Sequence, residues 1–146
     1  MIAIGSDHGG FELKNHIINY LKEKNIDIKD FGCFDENSVD YPDIAEAVCD
    51  SINSGESECG ILICGTGIGI SIAANKIDGI RAAHCHDVYS TEMTKRHNNA
   101  NVICMGGRVV GRKLAFRIVD AWLGTEFEGG RHQNRIDKIH ALEKRN

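Results

Sequence analysis

Apolar and polar positions along the chain alternate between two periods. Residues 2–5 form a short continuous apolar run, and over 11–24 the residues Leu13, Ile17, Ile18 and Leu21 then recur at helical spacing. The pattern repeats: 26–31 before 44–52, 61–64 before 67–75, 80–84 before 88–97, 102–105 before 112–123, and a last helical stretch near 133–144. Five apolar runs too short to be helices, each followed by a helix, predict an α/β protein: a five-stranded parallel sheet with helices on both faces and a C-terminal helix, a Rossmann-like three-layer domain. At 146 residues the chain is expected to be one domain over 1–146, with no internal repeat.

In open parallel sheets ligands bind beyond the carboxyl ends of the strands. The residues that follow the runs are Ser6-Asp7-His8-Gly9-Gly10, Phe31-Gly32-Cys33, Cys64-Gly65-Thr66-Gly67-Ile68-Gly69, Cys85-His86-Asp87 and Gly106-Gly107-Arg108. Polar and titratable groups therefore gather at that edge.

Composition narrows the classes. Apolar residues make up 42% and charged residues 26%, with a single proline, which describes a soluble globular chain and not a disordered one. The first residues carry no basic leader, and no apolar run approaches the roughly 18 residues of a membrane span, so a cytoplasmic protein is expected. Six cysteines without a C-x-x-C pair read as free thiols and not as a disulfide or zinc framework. His84-x-His86 lacks the carboxylate or thiolate partners that would make it a metal site, and none is expected. The net charge of −4 hides an asymmetry, since nine of the 17 Lys and Arg residues lie from Gly106 onward. An acidic body with a basic C-terminal third argues against nucleic acid and suits a small anionic ligand.

Cys64 ends an apolar run and opens a glycine-spaced turn into a helix, where unpaired amides favour a thiolate and can hold an oxyanion. Gly65-x-Gly67-x-Gly69 is not a dinucleotide fingerprint, because Ile70 stands where a glycine is needed, and no Walker sequence exists. Asp7 can cap a helix or hold a ligand, and His97-Asn98 can close a helix as a cationic cap or supply an acid/base beside an amide. Arg131 and Arg135, four residues apart, share a helix face; they are either a solvated basic surface or, with Arg108, a phosphate grip.

Taken in order, Asp7-His8-Gly9-Gly10, Asp40-Tyr41-Pro42-Asp43, Cys64 to Gly69, Ala73-Ala74-Asn75-Lys76, His97-Asn98, Gly107-Arg108-Val109-Val110-Gly111 and Glu128-Gly129-Gly130-Arg131-His132-x-x-Arg135 closely resemble the ribose-5-phosphate isomerases of type B, across essentially the whole chain. The resemblance implies an aldose–ketose isomerase that interconverts ribose 5-phosphate and ribulose 5-phosphate in the non-oxidative pentose phosphate pathway, without metal or organic cofactor. It implies Cys64 as the base, the amides of Gly65, Gly67 and Gly69 as the oxyanion cradle, and Thr66 near the thiol. It further implies His97 as the ring-opening acid/base, with His132 ranked below it, Asp7 and Asn98 on sugar hydroxyls, and His8, Arg108, Arg131 and Arg135 on the phosphate. A branch of the family carries a glutamate base where this chain has Ile70, so Cys64 places the chain in the cysteine branch. The family builds its sites between subunits, which implies a homodimer or dimer of dimers with shared active sites and arginines lent by the partner. Relatives act on galactose 6-phosphate or allose 6-phosphate, and a pocket that binds sugar phosphates without turnover, or a nucleotide-binding domain, stands as the competing class.

Overall fold

The computed structural model describes residues 1–145. Five strands, β1 (Ile2–Ser6), β2 (Ile28–Asp30), β3 (Cys59–Cys64), β4 (Ala82–His84) and β5 (Val102–Gly106), form one parallel sheet in the order β2-β1-β3-β5-β4. Six helices connect and close it: α1 (Phe11–Glu23), α2 (Tyr41–Asn53), α3 (Ile68–Ala74), α4 (Val88–Asn98), α5 (Arg112–Leu123) and α6 (Arg131–Leu142). The chain leaves β1 toward one edge and returns to place β3 on its other side. Strand order therefore reverses between β1 and β3, where Ser6 lies in register with Ile63.

Period-two alternation assigns each strand residue to one of two cores. Ile2, Ile4, Ile61, Ile63, Ile103 and Met105 pack with Leu13, Ile17 and Leu21 of α1 and with Ile118 and Trp122 of α5. Their neighbours Ala3, Leu62, Cys64, Val102 and Cys104 face Ala45 and Val48 of α2 and Ile70 and Ala74 of α3. Both faces of the sheet are covered, which is why its strands read as unbroken apolar runs and not as alternating ones. The α1 stripe anticipated from spacing is the buried one, joined by a residue that periodicity does not mark: Lys14. Its fully buried ammonium meets both Asp30 oxygens, at 2.7 and 2.8 Å, and the carbonyl of Cys33, tying α1 to the loop after β2. Lys14→Met is expected to lower the unfolding free energy by about 3 kcal/mol, the low end for a broken buried pair because Asp30 keeps some water, as read by urea denaturation.

Several boundaries differ from the sequence pattern for local reasons. β2 is only Ile28–Asp30 and not 26–31, because as an edge strand it pairs solely with Ile2 to Ile4. α2 begins at Tyr41, three residues before its apolar stripe, since Pro42 in the first turn needs no amide partner. A short 3-10 turn, His8–Gly10, precedes α1. None of the helices is long and apolar enough to cross a membrane, among the described residues.

Candidate active site

The carboxyl ends of β1, β3 and β5 meet at the switch in strand order, and three turns interlock there. Gly107 N–H donates to the carbonyl of Cys64 at 2.8 Å, and Arg108 N–H to that of Gly65 at 3.1 Å. The turn after β3 passes so close to β5 that a Cβ on Gly67 would sit 2.7 Å from the Met105 carbonyl carbon, and Gly67 takes φ +80. A side chain there is excluded both by space and by the left-handed backbone. This conformation points the Gly67 amide back at Cys64, donating to Sγ at 3.1 Å. Cys64 itself is 5% exposed, at the rim of the α2/α3 core.

The other thiols sit in different surroundings. Burial pushes Cys49 up to about 12 and Cys59 up to about 11, and it raises Cys85 and Cys104 as well. Cys49, Cys85 and Cys104 are buried and Cys59 is half-buried against the core, surroundings that disfavour the thiolate. Cys64 is distinguished by an amide donor on its sulfur and by the loop edge it occupies.

Around it, Asp7 Oδ1 accepts from Gly9 N at 2.9 Å and Gly10 N at 3.2 Å, so the capping role anticipated for Asp7 is present while Oδ2 takes neither bond. His8 Nδ1 accepts from Val39 N at 3.3 Å, which leaves Nε2 as the nitrogen for another partner. The Arg108 guanidinium lies over Gly65, 3.2 Å from where a Cβ would be. His8, Arg108 and Arg112 line a cleft of about 490 Å³ beside the turn. The Thr66 hydroxyl accepts from Ile68 N at 3.2 Å and so caps the start of α3; the amide on the sulfur belongs to Gly67.

Two groups of residues escaped the sequence reading. The Tyr41 ring packs on Gly69, its oxygen 2.7 Å from a Cβ placed there, so a phenol stands at the rim of the glycine turn. His84 and His86, which spacing left unassigned, brace that turn. Gly106 N–H donates to His86 Nε2 at 3.2 Å, which makes that nitrogen an acceptor. His84 Nε2, 3.1 Å from it and 2.8 Å from the Thr66 carbonyl, must then carry the proton. Burial, with His84 alongside, lowers the His86 pKa and keeps the ring in the neutral form this bracing needs. No local signal marks either contact, since Gly106 and Thr66 reach the imidazoles only through the sheet.

The remaining expected residues lie elsewhere. α4 starts at the carboxyl edge, after β4, and runs back antiparallel, so His97 and Asn98 end it at the amino edge, just before β5 begins. The five residues of β5 put on the order of 13 Å of strand between that edge and the one bearing Cys64. There His97 stacks on His132 of α6, ring centroids 4.3 Å apart and planes 12° from parallel. Exposed Arg131 and Arg135 accompany His132 on α6. The chain thus holds two half-sets: Asp7, His8, Cys64, Gly65, Thr66, Gly67, Gly69 and Arg108 at one edge, and His97, Asn98, Arg131 and Arg135 at the other.

A doubly wound parallel sheet whose switch point carries a cradled thiol, an aspartate, a histidine and an arginine defines the class: an α/β protein with a small-ligand site at the carboxyl edge of its strands. Comparison with known proteins makes this specific. Residues 2–139 match the family model described as Ribose/Galactose Isomerase. Ribose-5-phosphate isomerase B of Escherichia coli is 51% identical over 144 residues, covering 99% of this chain and 97% of that one. D-erythrulose-4-phosphate isomerase of Pectobacterium atrosepticum is 48% identical over 141 residues, covering 94% and 91%. The solved structure of Clostridium thermocellum ribose-5-phosphate isomerase B superimposes with a TM-score of 0.97 at 53% identity, covering 98% of this chain and 97% of that one. The chain belongs to the ribose/galactose isomerase family.

Proposed function

We propose that this protein interconverts ribose 5-phosphate and ribulose 5-phosphate through an enediolate, with Cys64 as the base and no metal or organic cofactor. The observation that carries the reading is the Gly67 amide on Cys64 Sγ at 3.1 Å, within the glycine turn that opens α3. Isomerisation needs one base that serves two adjacent carbons and donors for the oxygen that becomes negative. A thiolate on a glycine turn supplies both within one short segment. The name of the Escherichia coli relative supports the substrate, and the erythrulose phosphate relative makes a shorter sugar the comparison to run.

Ring opening falls to His97, with Asp7 and Asn98 on sugar hydroxyls and His8, Arg108, Arg131 and Arg135 on the phosphate. The two half-sets lie at opposite edges of one sheet, so each complete site takes its thiol from one subunit and its His97, Asn98 and arginines from another. Exposed apolar residues near the thiol edge support a covering partner: Ile68 and Ile72 one turn apart on α3, 51% and 57% exposed, with Val109 and Tyr89 on neighbouring segments. The protein is therefore proposed to be one domain that works as at least a homodimer, in the cytoplasm.

Metal-free protein in the presence of a chelator is expected to convert ribose 5-phosphate to ribulose 5-phosphate rapidly, and to isomerise allose 6-phosphate, galactose 6-phosphate and erythrose 4-phosphate more slowly. No turnover of any of these sugars, with binding retained, would identify a sugar-phosphate-binding module instead.

A further inference from the structure

At the amino edge, the segment between α5 and α6 brings a carboxylate to the stacked imidazoles. Glu128 is anchored there by its own amide, which donates to the carbonyl of Arg96 at 3.0 Å, one residue before His97. Gly129 and Gly130, with φ +70 and +58, then reverse the chain into α6. Glu128 Oε1 lies 3.9 Å from His97 Nε2 and 3.6 Å from His132 Nε2. The three ligand-type atoms are within 4.8 Å of one another. His132 is 5% exposed and its Nε2 is buried with no hydrogen-bond partner among the described residues, a costly state unless the carboxylate closes the last few tenths of an ångström. Catalytic contacts of this length commonly tighten when substrate binds.

The ring geometry says what the cluster is suited to. Nearly parallel imidazoles send their in-plane lone pairs side by side, whereas zinc needs them to converge on one point about 2 Å from each nitrogen. Proton handling fits the arrangement; metal ligation would require the stack to open. With Nε2 turned to the carboxylate, His97 keeps Nδ1 for the sugar.

We propose that Glu128 is a positioning residue for ring opening: its carboxylate fixes His97 in the Nε2–H tautomer, leaving Nδ1 as the base, while His132, stacked face to face on His97, restrains the ring. The proposal rests on the ring-opening role given to His97 above. In the step itself the proton on O1 of the furanose passes to His97 Nδ1, the electron pair of the broken O1–H bond becomes the second bond between C1 and O1, and the C1–O4 bond breaks. Its electron pair goes to O4, which takes the proton back from the same imidazole. Sugar and enzyme end neutral with respect to the start, and Glu128 stabilises the imidazolium that exists between the two transfers.

The experiment isolates ring opening from isomerisation. In a Cys64→Ser protein, ribose 5-phosphate is bound but not isomerised, and exchange between its α and β furanose anomers, followed by NMR saturation transfer, reports opening alone. Adding Glu128→Gln is expected to slow that exchange at saturating sugar by about tenfold or more, with the Kd unchanged. Exchange as fast as in Cys64→Ser alone overturns the proposal and leaves His97 its role. A parallel loss of affinity or of folded content by circular dichroism makes Glu128 a structural residue and overturns it too. If instead Cys64→Ser with His97→Asn still exchanges anomers at the Cys64→Ser rate, the ring-opening reading of His97 has failed, and this proposal fails with it.

Discussion

Cys64→Ser is expected to reduce ribose 5-phosphate isomerisation by about 10³-fold, in the middle of the range for removing a general base, while leaving the affinity for the sugar phosphate within a factor of two or so. The hydroxyl occupies the same cradle under the Gly67 amide but stays protonated at neutral pH, so no base is available to take the C2 proton. The groups proposed to hold the ligand at this edge are others: Asp7, His8 and Arg108. The split is read by steady-state turnover beside thermal-shift protection with ribose 5-phosphate. Iodoacetamide should inactivate the wild-type protein, with substrate slowing the loss. The cysteines that burial holds high, Cys49 and Cys59 among them, should react more slowly than Cys64. Full activity after stoichiometric alkylation at Cys64, or an active Cys64→Ser protein, would remove the thiol from the chemistry.

The second large effect comes from mixing two inactive proteins. Arg131→Ala and Cys64→Ser chains, combined under conditions that exchange subunits, should regain about a quarter of wild-type activity. Half of randomly paired dimers are hybrids, and each hybrid has one site with both functional residues and one with neither. The expectation follows from topology. Cys64 ends β3 in register with Gly106, at the end of β5 opposite to Val102, whereas α6 packs on α4, whose last residues precede Val102. This topology sets Arg131 and Cys64 of one chain toward opposite edges of its sheet. No recovery, with hybrid formation verified by mass spectrometry, would mean that Arg131 does not complete a partner's site.

These two experiments separate what is local from what is not. The Cys64 turn was legible because all its parts are neighbours in sequence: an apolar run, a thiol, and glycines at alternate positions. The α1 stripe of Leu13, Ile17, Ile18 and Leu21 was legible for the same reason, since helical spacing depends on nothing outside the segment. Lys14, one residue from Leu13, was not, because a buried lysine is tolerated only where Asp30 and the Cys33 carbonyl happen to meet it. That the Thr66 hydroxyl accepts from Ile68 N is a contact made by the exact path of the turn. In the sequence Glu128 stands only in a glycine turn before α6. Its closeness to His97, 31 positions earlier in the chain, depends on how α6 folds back on α4.

The sequence by itself determined the class of fold, the alternation of five strands with helices, the thiol in its glycine turn and the family to which the chain belongs. Each of these is written in short-range order: hydrophobic period, turn residues and the succession of motifs. Only the tertiary structure decided strand order, the reversal between β1 and β3 that gathers Asp7, Cys64 and Arg108, and the removal of His97, Asn98, Arg131 and Arg135 to the far edge. The physical reason is that strand pairing and helix docking join residues far apart in sequence through backbone hydrogen bonds and buried surface. No local pattern records which strand a given strand will choose as its neighbour.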